Sequence, residues 1–145
     1  MPLIHISAPK GALNKNDQGS LVSRLSDAVL RSEGADPRDP AAQALVWAYY
    51  SELSTDQCYV GGKNLENSPL TIAVTTPQGA LDDRRREQLV KDIGSIVDDL
   101  IGHFDRRLNH WVMLHELNDG GWGGGGQIFR LGDIQGAMNI QTAAS

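Results

Sequence analysis

The chain has 145 residues, 40% of them hydrophobic and 21% charged, with a net charge of −5, so it can form one compact domain of ordinary globular composition. The acidic balance excludes nucleic acid as the main partner, and no apolar run approaches the ~20 residues of a membrane span. One cysteine and four scattered histidines exclude an internal disulfide and any zinc-type spacing, which leaves a cytoplasmic protein without metal or cofactor as the expectation.

Met1-Pro2-Leu3-Ile4-His5-Ile6-Ser7 opens the chain. Leu3 onward reads as a β-strand bounded by Pro9 and Gly11. A small penultimate residue such as Pro2 permits removal of Met1, which would leave a secondary amine at the chain start. Held in a partly apolar pocket, such an amine loses basicity toward neutrality and can act as a general base or a nucleophile. Two readings stay open at this point: that amine, or an initiator methionine followed by proline in an edge strand.

A helix follows, with Leu21, Val22, Leu25, Ala28 and Val29 on one face, Asn14 or Asn16 as its cap and Gly34 as its end. Asp36-Pro37-Arg38-Asp39-Pro40 is a turn, since two prolines forbid helix continuation. Leu45 to Leu53 reads as the second strand, and a loop with Gly61-Gly62 and a polar connector from Asn64 to Pro69 close the first half.

The second half repeats the first. Leu70 to Thr76 is a strand, and Pro77-Gln78-Gly79-Ala80-Leu81 echoes Pro9-Lys10-Gly11-Ala12-Leu13. Leu89, Val90, Ile93, Ile96 and Val97 stand 68 positions after the first helix face, with Asp82 or Asp83 as cap. Trp111, Glu116 and Gly125-Gly126 stand 64 positions after Trp47, Glu52 and Gly61-Gly62. Each half therefore reads as strand, crossover helix, strand, a parallel β-α-β unit by the handedness rules. The fold class expected is α+β: residues 1–145 form one domain, with units over 1–66 and 67–135, a C-terminal hairpin in the second, and a tail over 136–145. Two tandem units give a four-stranded sheet with both helices on one face, and neighbouring subunits are the simplest cover for the other. The glycine run before Gln127 could be a flexible linker, but Trp122 within it argues for a tight turn into a short hairpin strand over Gln127 to Leu131.

Proline directly after Met1, the β-α-β repeat, and Glu-x8-Gly-Gly after each second strand together resemble the tautomerase superfamily, which includes 4-oxalocrotonate tautomerase. The chain looks like two such halves fused, over about Pro2 to Ile134. Trp122-Gly123 with Phe129, Leu131, Gly132 and Asp133 is most similar to the malonate semialdehyde decarboxylase branch, and Tyr59-Val60-Gly61-Gly62 to the cis-3-chloroacrylic acid dehalogenase branch. The resemblance implies a homotrimer acting on a small-molecule substrate, with Pro2 as catalytic base in keto–enol tautomerisation of a small oxo acid or aryl enol. Hydration, dehalogenation or decarboxylation through Pro2 is the neighbouring alternative, and a non-catalytic βαββαβ ligand-binding module the more distant one.

Trp122 matches the aromatic residue that lines the proline pocket of the simple tautomerases, and Asp39 is the nearest match to an aspartate of the decarboxylase. Arg38 is the candidate for an anionic substrate group. Trp111 belongs with Trp47, Tyr49 and Met113, which alternate along their strands and so share a sheet face, where they could wall the Pro2 pocket of another subunit or simply pack in a core or interface. Where family members carry arginine, this chain has Ala12, Thr76, Gln78, Ala80, Trp47 and Trp111.

Overall fold

Asn14 and Asp82 decide where the two long helices begin. The Asn14 side chain accepts from Asp17 N at 2.8 Å and that of Asp82 from Arg85 N at 2.8 Å, each satisfying one of the donors a helix start leaves open. In the computed structural model, which describes residues 1–142, strand β1 (Leu3–Pro9) leads to α1 (Lys15–Ser32). A one-turn helix α2 (Pro40–Gln43) precedes β2 (Trp47–Leu53), and a 3-10 turn and the hairpin β3 (Tyr59–Val60) and β4 (Lys63–Asn64) close the first unit. The second runs β5 (Leu70–Pro77), α3 (Asp83–Ile101), β6 (His110–Leu117), the hairpin β7 (Gly123–Gly124) and β8 (Gln127–Ile128), and α4 (Leu131–Ala137).

The four long strands form one sheet in the order β2-β1-β5-β6. Pairing is parallel within each unit, Leu3 opposite Trp47 and Thr71 opposite Trp111, and antiparallel between the units. Alternation decides the faces. Ile4, Ile6, Ile72 and Val74 point to one side and are almost wholly buried against Leu21, Leu25 and Val29 of α1 and Leu89, Ile93 and Val97 of α3. Burial of each such side chain contributes about 2 kcal/mol. The opposite face carries Trp47, Tyr49 and Trp111, all more than half exposed. The α+β architecture with both helices on one face is the one the repeat implies.

The two glycine pairs have one cause. Gly61-Gly62 and Gly125-Gly126 are the two-residue turns of hairpins β3–β4 and β7–β8, with φ values of 60° and 76°, and 58° and 81°. Both central residues of such a turn need positive φ, which favours glycine.

Several boundaries differ from the sequence expectation. The second strand starts at Trp47 rather than Leu45, because Leu45 N still bonds to Ala42 O at 3.0 Å as α2 ends. The strand-like pattern from Gln127 to Leu131 stops at Ile128, and a helix follows over Leu131–Ala137. Gly136 and Ala137, placed in a tail by the sequence, belong to that helix. Ile134 and Met138 are fully buried beside Leu30, Ala35 and Ala42, with Met1, Leu45, Trp122 and Phe129 packed around them. This second core cluster sits under the start of β1. Residues 143–145 of the expected tail lie outside the described residues.

Candidate functional site

Pro2 is buried where β1 enters the sheet, and its carbonyl accepts from Trp47 N at 3.1 Å. It lines a cleft of about 470 Å³ whose other walls are Met1, Leu3, Leu45, Trp47, Thr75, Leu117, Trp122 and the backbone of the glycine run. Trp47 is fixed by its indole N–H, which donates to Ala44 O at 3.0 Å. Trp122 is held by a hydrogen bond from Phe129 N to its carbonyl at 2.9 Å and packs on the second core cluster. The β7–β8 hairpin thus serves to set one aromatic side chain beside the chain start. No charged side chain lines this cleft among the described residues of one chain, so it suits a flat, largely apolar group.

The other site candidates lie elsewhere in the chain. Arg38 has a side chain 91% exposed and pairs with Asp36 at 3.3 Å. Asp39 caps α2, accepting from Ala41 N at 2.9 Å and from Asn139 Nδ2 at 2.8 Å, so both its oxygens are engaged in structure. Trp111, second residue of the edge strand β6, lines a separate cleft of about 630 Å³ with Pro69, Tyr59 and Arg107. Within one chain only Pro2 and Trp122 of the five come together. Trp47 joins them. The two register pairs make it the first-unit counterpart of Trp111, so the two clefts are pseudo-equivalent.

Several charges are absorbed by the scaffold. Arg86 bridges Asp83 and Glu116, each at 2.7 Å, tying α3 to β6 and raising the guanidinium's proton affinity further. His115 is exposed on the outer face, and adjacent strand residues point oppositely, so it forms no pair with Glu116. Arg130 pairs with Asp119 at 3.2 Å. Burial holds the His110 ring below its ordinary value, with Asp98 opposing.

One group near the site escaped sequence reasoning. Glu33, at the end of α1, is 2% exposed, and its Oε2 lies 3.6 Å from the chain-terminal ammonium on Met1. The same ammonium donates to Met138 Sδ at 2.9 Å. Burial lowers the pKa of that amine and raises that of Glu33, in each case against their mutual attraction. A signal was available: an acid at a helix C-terminus opposes the dipole and asks for a reason.

No family model and no curated protein matches the chain. Solved structures do. A fused 4-OT described as a wild-type asymmetric trimer is 19% identical, covering 87% of this chain and 94% of its own, with a TM-score of 0.72. Pt0534, inactivated by 2-oxo-3-pentynoate, is 24% identical over the same shares, also at 0.72. N1, a member of the cis-3-chloroacrylic acid dehalogenase family, is 15% identical, covering 87% of this chain and 82% of its own, at 0.68. What these likenesses establish is architectural: the chain has the fused two-unit fold of the 4-OT structures.

Proposed function

We propose that the chain is a cofactor-independent enzyme of the tautomerase kind, in which Pro2, freed by removal of Met1, is the general base. The observation that carries this is the place of Pro2 on the wall of an apolar cleft between Trp47 and Trp122. There the charged form of a secondary amine is poorly solvated, so the free base is available near neutral pH. The amine would take a proton from an enol hydroxyl or an activated carbon and return it to the neighbouring carbon. Backbone N–H groups of the glycine-rich hairpin are the nearest candidates to steady the enolate. The apolar lining favours an aryl-substituted enol over a dicarboxylate, because no guanidinium stands ready in the cleft. The fused 4-OT and Pt0534 likenesses support tautomerisation, and the N1 likeness keeps Pro2-dependent dehalogenation or hydration as a neighbouring chemistry. The assembly proposed is a homotrimer with three proline sites, in keeping with the trimer described for the fused 4-OT.

The second reading is a ligand-binding module that retains Met1, favoured by the contacts its amine makes with Glu33 and Met138. Intact mass separates the two. A mature chain lacking Met1, turning over aryl enols and losing at least about 100-fold in kcat/KM on Pro2→Ala, is the expected result. A chain that keeps Met1, or a Pro2→Ala variant with full activity, overturns it.

A further inference from the structure

We propose that Glu33 is the carboxylate partner of the Pro2 amine in the chain that begins at Pro2, a positioning residue that governs how firmly the proline nitrogen holds its proton. This rests on the reading of Pro2 as the base.

A glutamate that is 2% exposed at the C-terminal end of a helix is an expensive residue, opposed by desolvation and by the dipole alike. Its Oε1 has no hydrogen-bond partner, and its Oε2 faces only the chain-terminal ammonium, at 3.6 Å. Other charges around it are engaged elsewhere. Asp36 and Arg38 pair with each other, and Asp39 is held by Ala41 N and Asn139. Arg85, beside Gly34, donates to Ala80 O at 3.3 Å. On α4, Asp133 accepts from Arg130 N, while Arg31 on α1 is exposed. Among the described residues the terminal amine is the one cation within ion-pair reach of Glu33.

Covalent geometry carries this contact over to Pro2. Successive backbone nitrogens lie no more than about 3.7 Å apart, so Pro2 N is within roughly 7 Å of Oε2 before anything moves. At about 2.8 Å per hydrogen bond, a chain of two waters spans that gap. Met1 is packed in the second core cluster beside Met138, and its removal takes away the one residue that precedes Pro2 and carries the amine now paired with Glu33. When Pro2 takes a proton from substrate, an ionised Glu33 stabilises the ammonium that forms. When Glu33 is protonated, Pro2 is held less tightly to its own proton. The two groups titrate as a pair.

The test follows the two groups directly by NMR, through the nitrogen of Pro2 and the side-chain carboxyl carbon of Glu33, in the chain shown by intact mass to start at Pro2. In the wild type each nucleus is expected to show an inflection at the other's midpoint. In Glu33→Gln the amine midpoint is expected to fall by about one pH unit, and the acidic limb of kcat/KM to move with it. Glu33→Asp should recover part of the shift. An amine midpoint unmoved in Glu33→Gln, or a Glu33 carbon that titrates without regard to Pro2, overturns the assignment. Should Glu33→Gln fail to fold, the paired titration of the wild type decides alone. Coupled titration in an inactive protein keeps Glu33 and sinks the tautomerase reading. Uncoupled titration in an active one does the reverse. A chain that keeps Met1 overturns both.

Discussion

Leu70 stands in the second unit where Pro2 stands in the first. Leu3 pairs with Trp47 and Thr71 with Trp111, so the residue before each pair is Pro2 in one unit and Leu70 in the other. Pro69, the more obvious counterpart in the sequence, is one position out of register. Leu70 is 1% exposed, and its nitrogen is an ordinary amide that donates to Asn109 O at 2.9 Å. The second cleft therefore has no amine.

Leu70→Ala consequently separates stability from chemistry. Truncating a fully buried leucine is expected to cost about 2–5 kcal/mol in chemical denaturation. Turnover per folded chain should stay within about two-fold of wild type, where Pro2→Ala loses at least about 100-fold. If Leu70→Ala removes turnover from a folded protein, the second cleft takes part in the chemistry and the one-site account fails.

The aromatic walls give a graded series. Trp47 and Trp122 share the cleft with Pro2, whereas Trp111 lines the other one. Each ring offers a large apolar face, so Trp122→Ala and Trp47→Ala are expected to lower kcat/KM on an aryl enol by roughly ten-fold each, mainly through KM. Trp122→Ala should also lower the melting temperature, because Trp122 packs on the second core cluster. Equal KM for Trp122→Ala and wild type would remove the apolar-pocket account of specificity.

Much of this was legible in the residues. Helix caps at Asn14 and Asp82, the glycine pairs at hairpin turns and the inward isoleucines of β1 and β5 follow from local chemistry and period. The repeat supplied the topology. What escaped was decided by long-range packing. Helix α4 is seven residues with Gly132 and Gly136 inside it, each costing about 1 kcal/mol of helix propensity, and the burial of Ile134 and of Met138 at its C-cap offsets that cost. Arg38 and Asp39 sit in a turn whose residue types serve local pairing as well as binding, and the structure uses Asp39 as a cap. Trp47 and Trp111 look alike in sequence because they are equivalent in the repeat, so nothing local says which one shares a cleft with Pro2. Glu33 is visible only once the chain start is seen folded against the end of α1.

Glu33 also makes stability depend on pH. Burial raises its pKa above the ordinary 4.5, and the terminal amine offsets this only in part. The folded state therefore binds a proton more tightly than the unfolded one. The contribution of this group is fully present below pH 4.5 and is lost as pH rises through the elevated folded value. Denaturant midpoints of wild type and Glu33→Gln, measured from pH 4 to pH 8, should change relative to one another in that sense, with the variant gaining on the wild type as pH rises. A difference that stays constant across the range would mean that Glu33 keeps its proton, or keeps its charge, throughout.

The outer sheet face predicts the assembly. Trp47 is 60% exposed, Tyr49 55% and Trp111 66%, and they lie on β2 and β6, the two edges of the sheet. Aromatic rings on unpaired edge strands are a liability in a monomer, through apolar exposure and through free backbone groups open to pairing. Each ring can bury about 150–250 Å², worth several kcal/mol at about 25 cal/mol per Å², so covering them is a strong drive to associate. Two pseudo-equivalent units give each chain two similar edges, which suits a closed ring of three chains better than a two-fold pair using only one of them. Light scattering at micromolar concentration is expected to give the mass of a trimer. Tyr49→Glu places a charge amid that surface without touching the Pro2 cleft, and it should yield a folded monomer with helical circular dichroism intact. A wild type that is monodisperse as a monomer, or a Tyr49→Glu variant that stays trimeric, would mean that this face is not the one on which the chains meet.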